Sequence, residues 1–225
     1  MSTPRSGARR PRNPRGQGPR LREEILRAGL ELLEVTGSPD AVTLRAVARE
    51  VGIAAPSIYG HFPDRDAMHD AMRGAGFEEL IAGIYRATDP IDPEDPVRRL
   101  RTGCRAYLSF AAERPELYRF MFGPEPLEAE DGTAGPAPSL HTAPGAGPED
   151  PCPPGEMAFR ILVEGVAECA RRGRSASRDP FADAANLWVA MHGLATLRAA
   201  HPDFPWPPYE QQVDQLVSAL ARLDD

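Results

Sequence analysis

The sequence predicts an all-α protein, with an N-terminal three-helix domain carrying a helix-turn-helix and a C-terminal helical domain. Three observations lead there. Apolar residues recur at i, i+3, i+4 and i+7 in stretch after stretch of the 225 residues. Between Thr43 and Met68 two short patterns of this kind are joined through Gly52. Helix punctuation falls at the pattern ends: glycine after the last periodic residue, proline in the first turn where the amide has no helical partner anyway.

Met1 to about Pro19 is rich in Pro, Gly, Ser and Arg, a composition expected to stay disordered alone. The first helix is expected from about Pro19 to Thr36, with Ile25, Ala28, Leu32 and Val35 on one face and Leu21, Gly29 and Leu33 beside it. Gly37 ends it, and Ser38-Pro39-Asp40 makes a turn. Leu44, Val47, Ala48 and Val51 draw the stripe of the second helix, which Gly52 stops by taking the left-handed conformation without steric cost. Ile53 fills the corner, and a third helix runs from near Ala55, with Pro56 in its first turn, to near Gly60. Residues 20–66 thus form the expected helix-turn-helix domain.

Pro63-Asp64 reads as a turn and N-cap for a long helix from about Arg65 to Arg86, and Thr88 to Pro96 as a loop. Helices are then expected from about Val97 to Glu113 and Pro115 to Phe122. Gly123 to Gly155 holds nine prolines, six glycines and six acids, too little apolar surface to offset ordering, so a disordered loop is expected. Helical patterns resume from about Glu156 to Arg172. Asp179 caps a helix running to about Ala200, and a last one carries Val213, Leu216, Val217, Leu220 and Leu223. Residues 67–225 form the expected second domain.

Charge is distributed unevenly. Residues 1–22 hold seven arginines and no acid, whereas the rest of the chain holds 19 arginines and 33 acids, for a net charge of −7. A basic arm on an acidic body is the asymmetry of a segment that lies against phosphates. The three cysteines, Cys104, Cys152 and Cys169, form no CxxC pair, which fits a reducing cytoplasm; Cys104 or Cys169 reads as a buried small hydrophobe or as a thiol sensor. No apolar run approaches a membrane span. No nucleophile motif, Gly-rich phosphate loop or metal-ligand spacing is present, so neither catalysis nor a cofactor nor a metal is expected.

The ordered set Thr43, Val47-Ala48, Gly52-Ile53, Ile58-Tyr59-Gly60-His61-Phe62, Arg65 and Met68 resembles the DNA-binding signature of TetR-type (TetR/AcrR) transcriptional regulators. Trp188-Val189-Ala190-Met191-His192-Gly193 and Arg114 to Phe122 resemble one subgroup of their C-terminal domains, marked by Trp-x-x-x-His-Gly. One position departs from the pattern. Ala54 stands where the family has serine or threonine, which removes an N-cap acceptor worth about 1 kcal/mol.

The resemblance implies a homodimer that reads double-stranded DNA at a palindromic operator, with a C-terminal domain for effector binding and dimerisation. Thr43, at a helix N-terminus, is placed for a phosphate, and Arg65, Arg20 and Arg22 are further candidates. The resemblance makes Tyr59 and His61 phosphate contacts, while Phe62 reads as core. Base readout would fall to Arg45, Ala55, Pro56, Ser57 and Gly60, with Arg45 alone able to fork a guanine. An effector cavity between helices is expected to draw on Phe77, Leu80, Ile84, Tyr107, Phe110, Phe122, Phe159, Leu162, Trp188, Met191 and His192, although each also reads as plain core and His192 as a hydrogen-bonded core histidine. Reading two half-sites requires a two-fold partner. The resemblance places that interface on the last two helices, at Leu187, Leu194, Val213, Leu216, Val217, Leu220 and Leu223.

The sequence therefore reads as a cytoplasmic, nucleoid-associated transcriptional regulator: a repressor released by a small-molecule effector of unspecified identity. Two rivals stand beside it. One is a helical interaction protein whose helix-turn-helix no longer binds DNA, and the other is a small-molecule-converting enzyme.

Overall fold

The computed structural model describes residues 18–123 and 154–224. Nearly all of the basic arm expected over residues 1–19, most of the loop expected over 123–155, and Cys152 lie outside the described residues. The described chain forms nine α-helices: α1 (Gly18–Thr36), α2 (Leu44–Val51), α3 (Ala55–Ile58), α4 (Arg65–Thr88), α5 (Pro96–Glu113), α6 (Pro115–Phe122), α7 (Pro154–Arg171), α8 (Pro180–Ala200) and α9 (Tyr209–Leu220), with a 3-10 turn at Pro39–Ala41. It divides into two compact units between Ala75 and Gly76.

In the N-terminal unit the stripe of α2 buries Leu44, Val47 and Ala48. Thr43 caps this helix, its hydroxyl accepting from the Ala46 amide at 3.1 Å. Gly52 ends it at φ +75°, and its amide returns to the α2 carbonyls. Asp64 caps α4 by accepting from the Ala67 amide at 2.8 Å. The first three turns of α4 belong to this unit, which moves its end from the expected residue 66 to Ala75. The reason is burial. Met68 and Met72 are fully enclosed, and a Cβ at Gly29 of α1 would lie 2.8 Å from Met72 Sδ, so glycine is what lets the methionine in. That approach also decides which face of α1 is inside: Ile25, Ala28, Gly29 and Leu33 are buried, whereas Val35, expected on the buried face, is 83% exposed.

In the C-terminal unit α5 lies against α6, α7, α8 and α9. Asp95 caps α5 and Asp179 caps α8, each followed by proline in the first turn. Arg105 Nη2 donates to both carboxylate oxygens of Asp214 of α9, at 2.7 and 2.8 Å, and Arg101 Nη2 donates to Ser218 Oγ at 2.8 Å. The chain end is stitched back: Ser175 pairs with Leu223 in a single antiparallel bridge, and Arg222 Nε meets the buried Asp183 at 3.1 Å. Among the described residues no helix is long and apolar enough to cross a membrane.

The stripes expected at a dimer interface are largely covered within the chain itself. Leu187, Leu194, Val213 and Val217 are buried inside the single chain, and Leu216, Leu220 and Leu223 are half-buried. A periodic apolar stripe states that a face is covered, not by which chain. The apolar residues that α8 leaves exposed are others, with Val189 at 64% and Leu197 at 50%.

Candidate nucleic-acid interface and effector cavity

The helix-turn-helix is held rigidly by a small core, and its polar face stays open. Ile58 and Phe62 are only 0% and 1% exposed, each fixing one end of the α3 segment, and full burial of such side chains stabilises by about 1.5–3 kcal/mol apiece. Thr43, Arg45, Pro56, Ser57, Tyr59 and Gly60 are exposed, while Ala55 and His61 are half-buried. Arg49, one turn beyond Arg45 on α2, is exposed as well and was not anticipated; the i, i+4 spacing to Arg45 was the available signal. Ala54 offers no side-chain cap to α3, and the Ser57 amide donates to the Ala54 carbonyl at 2.8 Å.

Several candidate cations have partners within the unit. Arg65 lies 3.5 Å from Asp40 and 3.8 Å from Asp66, so a phosphate there would compete with carboxylates. Arg20 is 3.6 Å from Glu24, and the Arg22 guanidinium stacks 4.5 Å above the Phe62 ring. Arg22 is thus pinned to the aromatic that closes the motif. His69, 3% exposed, is a polar core residue that the sequence pattern does not single out. Its Nε2–H donates to the Val42 carbonyl at 2.9 Å, linking α4 to the turn just before Thr43, and burial lowers its pKa.

The C-terminal unit holds an open cavity of about 770 Å³. Of the expected lining residues, Phe77, Ile84, Tyr107, Phe122, Phe159, Leu162, Trp188 and Met191 are on its wall. Leu80, Phe110 and His192 are not. Leu80 is 1% exposed in the core, and His192 stands behind the wall, its Nδ1 2.7 Å from the Tyr118 hydroxyl. The wall carries a cluster of rings: Phe122 packs edge-on to Phe77 at 5.2 Å, and Phe159 meets Phe181 at 5.4 Å and Trp188 at 6.0 Å.

A hydrogen-bonded chain runs from this wall into the core. The Tyr107 hydroxyl bonds that of Tyr118 at 2.6 Å, which in turn bonds His192. Burial raises the Tyr107 pKa to about 12, raises that of Tyr118 further, and lowers that of His192. All three groups are therefore neutral near pH 7. In the arrangement that uses both hydroxyl protons, Tyr107 donates to Tyr118 and Tyr118 to His192 Nδ1. Cys104 is also on the wall, but burial pushes its thiol up to about 12 and Cys169 to about 11, which leaves neither with thiolate for redox chemistry. Among the described residues no group of His, Cys, Asp or Glu is placed to hold a metal.

Comparison with known proteins matches two family models. Residues 25–72 match the model of bacterial regulatory proteins of the tetR family, and residues 100–222 match a tetracyclin repressor-like C-terminal domain. The nucleoid occlusion factor SlmA of Vibrio campbellii is 32% identical over 102 residues, covering 45% of this chain and 51% of that protein; SlmA of Vibrio cholerae matches to the same extent. The chain thus spans about half the length of these curated relatives. A Rhodococcus sp. RHA1 protein of unknown function superposes with a TM-score of 0.65 at 29% identity, over 89% of this chain and 91% of that one. SmeT, the repressor of the Stenotrophomonas maltophilia multidrug efflux pump SmeDEF, shares the fold at a TM-score of 0.58 and 17% identity, over 91% of both chains. The two matched families comprise transcription regulators and not enzymes. From its helix-turn-helix to its last helix, this chain belongs to the TetR family of bacterial regulatory proteins.

Proposed function

We propose that the protein is a homodimeric, ligand-released repressor that binds a palindromic operator in the cytoplasm. The observation that carries this reading is a division of labour within one chain. An exposed polar face of α2 and α3 lies on one compact unit, and a mostly apolar cavity lies within the other. Thr43, Tyr59 and His61 would hold phosphates, while Arg45 would read a base. Dimerisation would use the side of α8 that carries Val189, Gly193 and Leu197, together with the half-buried Leu216 and Leu220 of α9. A ligand in the cavity lowers operator affinity only if it prefers one spacing of the two recognition helices. The test is release of the protein from its operator by a compound shown to occupy the cavity. Occupancy that leaves operator affinity unchanged would contradict ligand release while leaving DNA binding intact.

A second reading is a role in nucleoid occlusion, favoured by the match to SlmA over 102 residues. Chromosome-wide occupancy separates the two: a repressor sits at few promoters, whereas an occlusion factor is spread over many sites along the nucleoid.

A further inference from the structure

One cation on the cavity wall pairs with no carboxylate among the described residues. Three carboxylates reach the wall, all from α7, and each is held by an arginine: Glu156 by Arg160 at 3.0 Å, Glu164 by Arg171 at 3.8 Å, and Glu168 by Arg171 and Arg172. Arg99 differs from these. It lines the same cavity from α5, and among the described residues its guanidinium meets no carboxylate. Its Nη1 donates to the carbonyls of Thr88 at 3.2 Å and Ile91 at 3.1 Å. Those bonds seat the cation at the C-terminal end of α4, where free carbonyls and the helix dipole favour positive charge. One nitrogen of the fork thus fixes its position. Nε and Nη2 have no acceptor among the described residues.

Polarity changes along the cavity. Arg99 and Tyr107 both line it from α5, eight residues and therefore about 12 Å apart along the helix axis. Around Tyr107 the surroundings are rings: Phe122 at 6.4 Å from Tyr107, with Phe77 and Trp188 against Phe122 at 5.2 and 6.3 Å. The hydroxyl bonds at that end are already satisfied within the Tyr107–Tyr118–His192 chain.

We propose that the cavity takes an elongate, largely apolar monocarboxylate, its carboxylate forked by Nε and Nη2 of Arg99 and its body lying along α5 towards Tyr107 and Phe122. The guanidinium edge matches a carboxylate in two parallel hydrogen bonds, a geometry that a hydroxyl cannot reproduce and an ammonium repels. The long axis accommodates an extended chain, and the aromatic end removes it from water. This proposal rests on the reading of the cavity as the effector site.

The test uses the full chain carrying Trp206→Phe, which leaves Trp188 as the sole indole, because the sequence holds two tryptophans. Decanoate, decanol and decylammonium are titrated while Trp188 emission is followed. Decanoate is expected to bind at least about tenfold more tightly than decanol, with decylammonium weaker than either. Arg99→Gln is expected to abolish that acid-over-alcohol preference, and Arg99→Lys to restore part of it. Because the readout is a ratio, a general loosening of the cavity does not imitate the effect. Equal binding of decanoate and decanol by the parent protein, or a preference that survives Arg99→Gln, overturns the head-group proposal alone. Saturable binding of none of the three overturns it together with the effector-cavity reading.

Discussion

In the proposed reading Thr43 serves two purposes that substitution can separate. Its side-chain oxygen accepts from the Ala46 amide at 3.1 Å, satisfying one of the four amides that the start of α2 leaves without helical partners. Its hydroxyl proton is free for a phosphate at the same helix end. Thr43→Ala removes both, and the lost cap costs about 1 kcal/mol of stability. If the N-terminal unit melts cooperatively, that is roughly 4–8 °C. Thr43→Asp behaves differently. It keeps an acceptor for Ala46 and adds about 0.3–1 kcal/mol through its charge at the helix N-terminus, so the folded protein is at least as stable as the parent. On DNA it loses a hydrogen bond worth about 1 kcal/mol and sets a carboxylate against a phosphate. That repulsion is worth about 1 kcal/mol in bulk water and about 4 kcal/mol at the effective dielectric of a protein surface. The sum, about 2–5 kcal/mol, weakens operator binding by roughly 30-fold or more. Denaturant melts of the two variants, paired with anisotropy titrations on operator DNA, measure both quantities. A Thr43→Asp protein that is stable and binds DNA as the parent does would refute the placement of a phosphate at the start of α2.

Other consequences follow from single contacts. Gly52 sits at φ +75° with nothing within 4 Å of a Cβ built there, so Gly52→Ala costs only backbone strain, about 1–2 kcal/mol by chemical denaturation, while Gly52→Asn costs less. Burial lowers the pKa of both His69 and His192 below the unfolded value of 6.5, so the unfolded chain takes up these protons first. Their contribution to stability is complete above that pH and is lost as pH falls through the folded-state values. Denaturation midpoints should fall from about pH 7 to pH 5, and His69→Gln should flatten part of the slope; an unchanged midpoint across this range would contradict the burial argument. Val189 is 64% exposed on α8, so Val189→Glu should leave the folded chain intact and turn a dimer into a monomer by light scattering.

Much of the fold was legible because helix ends are written locally. Asp64 and Asp179 cap the helices that their positions announce, and Gly52 closes α2 in the left-handed conformation that only glycine takes cheaply. Asp95-Pro96 carried the same signal but lay within an acidic, proline-rich stretch that reads as loop. What was not legible depends on where helices meet. The register of α1 against α4 is set by Gly29 and Met72, far apart in sequence, which is why Val35 faces out instead of Leu33. The stripes of α8 and α9 could not say whether a neighbouring helix or a second chain covers them. In the candidate site the cavity's aromatic wall followed from apolar spacing, whereas its polar parts did not. Arg99 acquires its place only through carbonyls eight and eleven residues away, and the Tyr118–His192 bond spans 74 positions. Arg65 looked like a free cation because Asp40 precedes it by a whole helix-turn-helix.

The most direct test is selection of bound DNA from a random pool by the purified full chain, followed by affinity measurement of the enriched sequence over a range of salt. A dimeric reader should enrich a two-fold symmetric site whose half-sites lie about 34–36 Å apart, bound far more tightly than random DNA, with affinity falling steeply as salt rises. A pool that shows no enriched sequence after selection, with binding indistinguishable from that of random DNA, would contradict a sequence-reading regulator and leave the helix-turn-helix as scaffold.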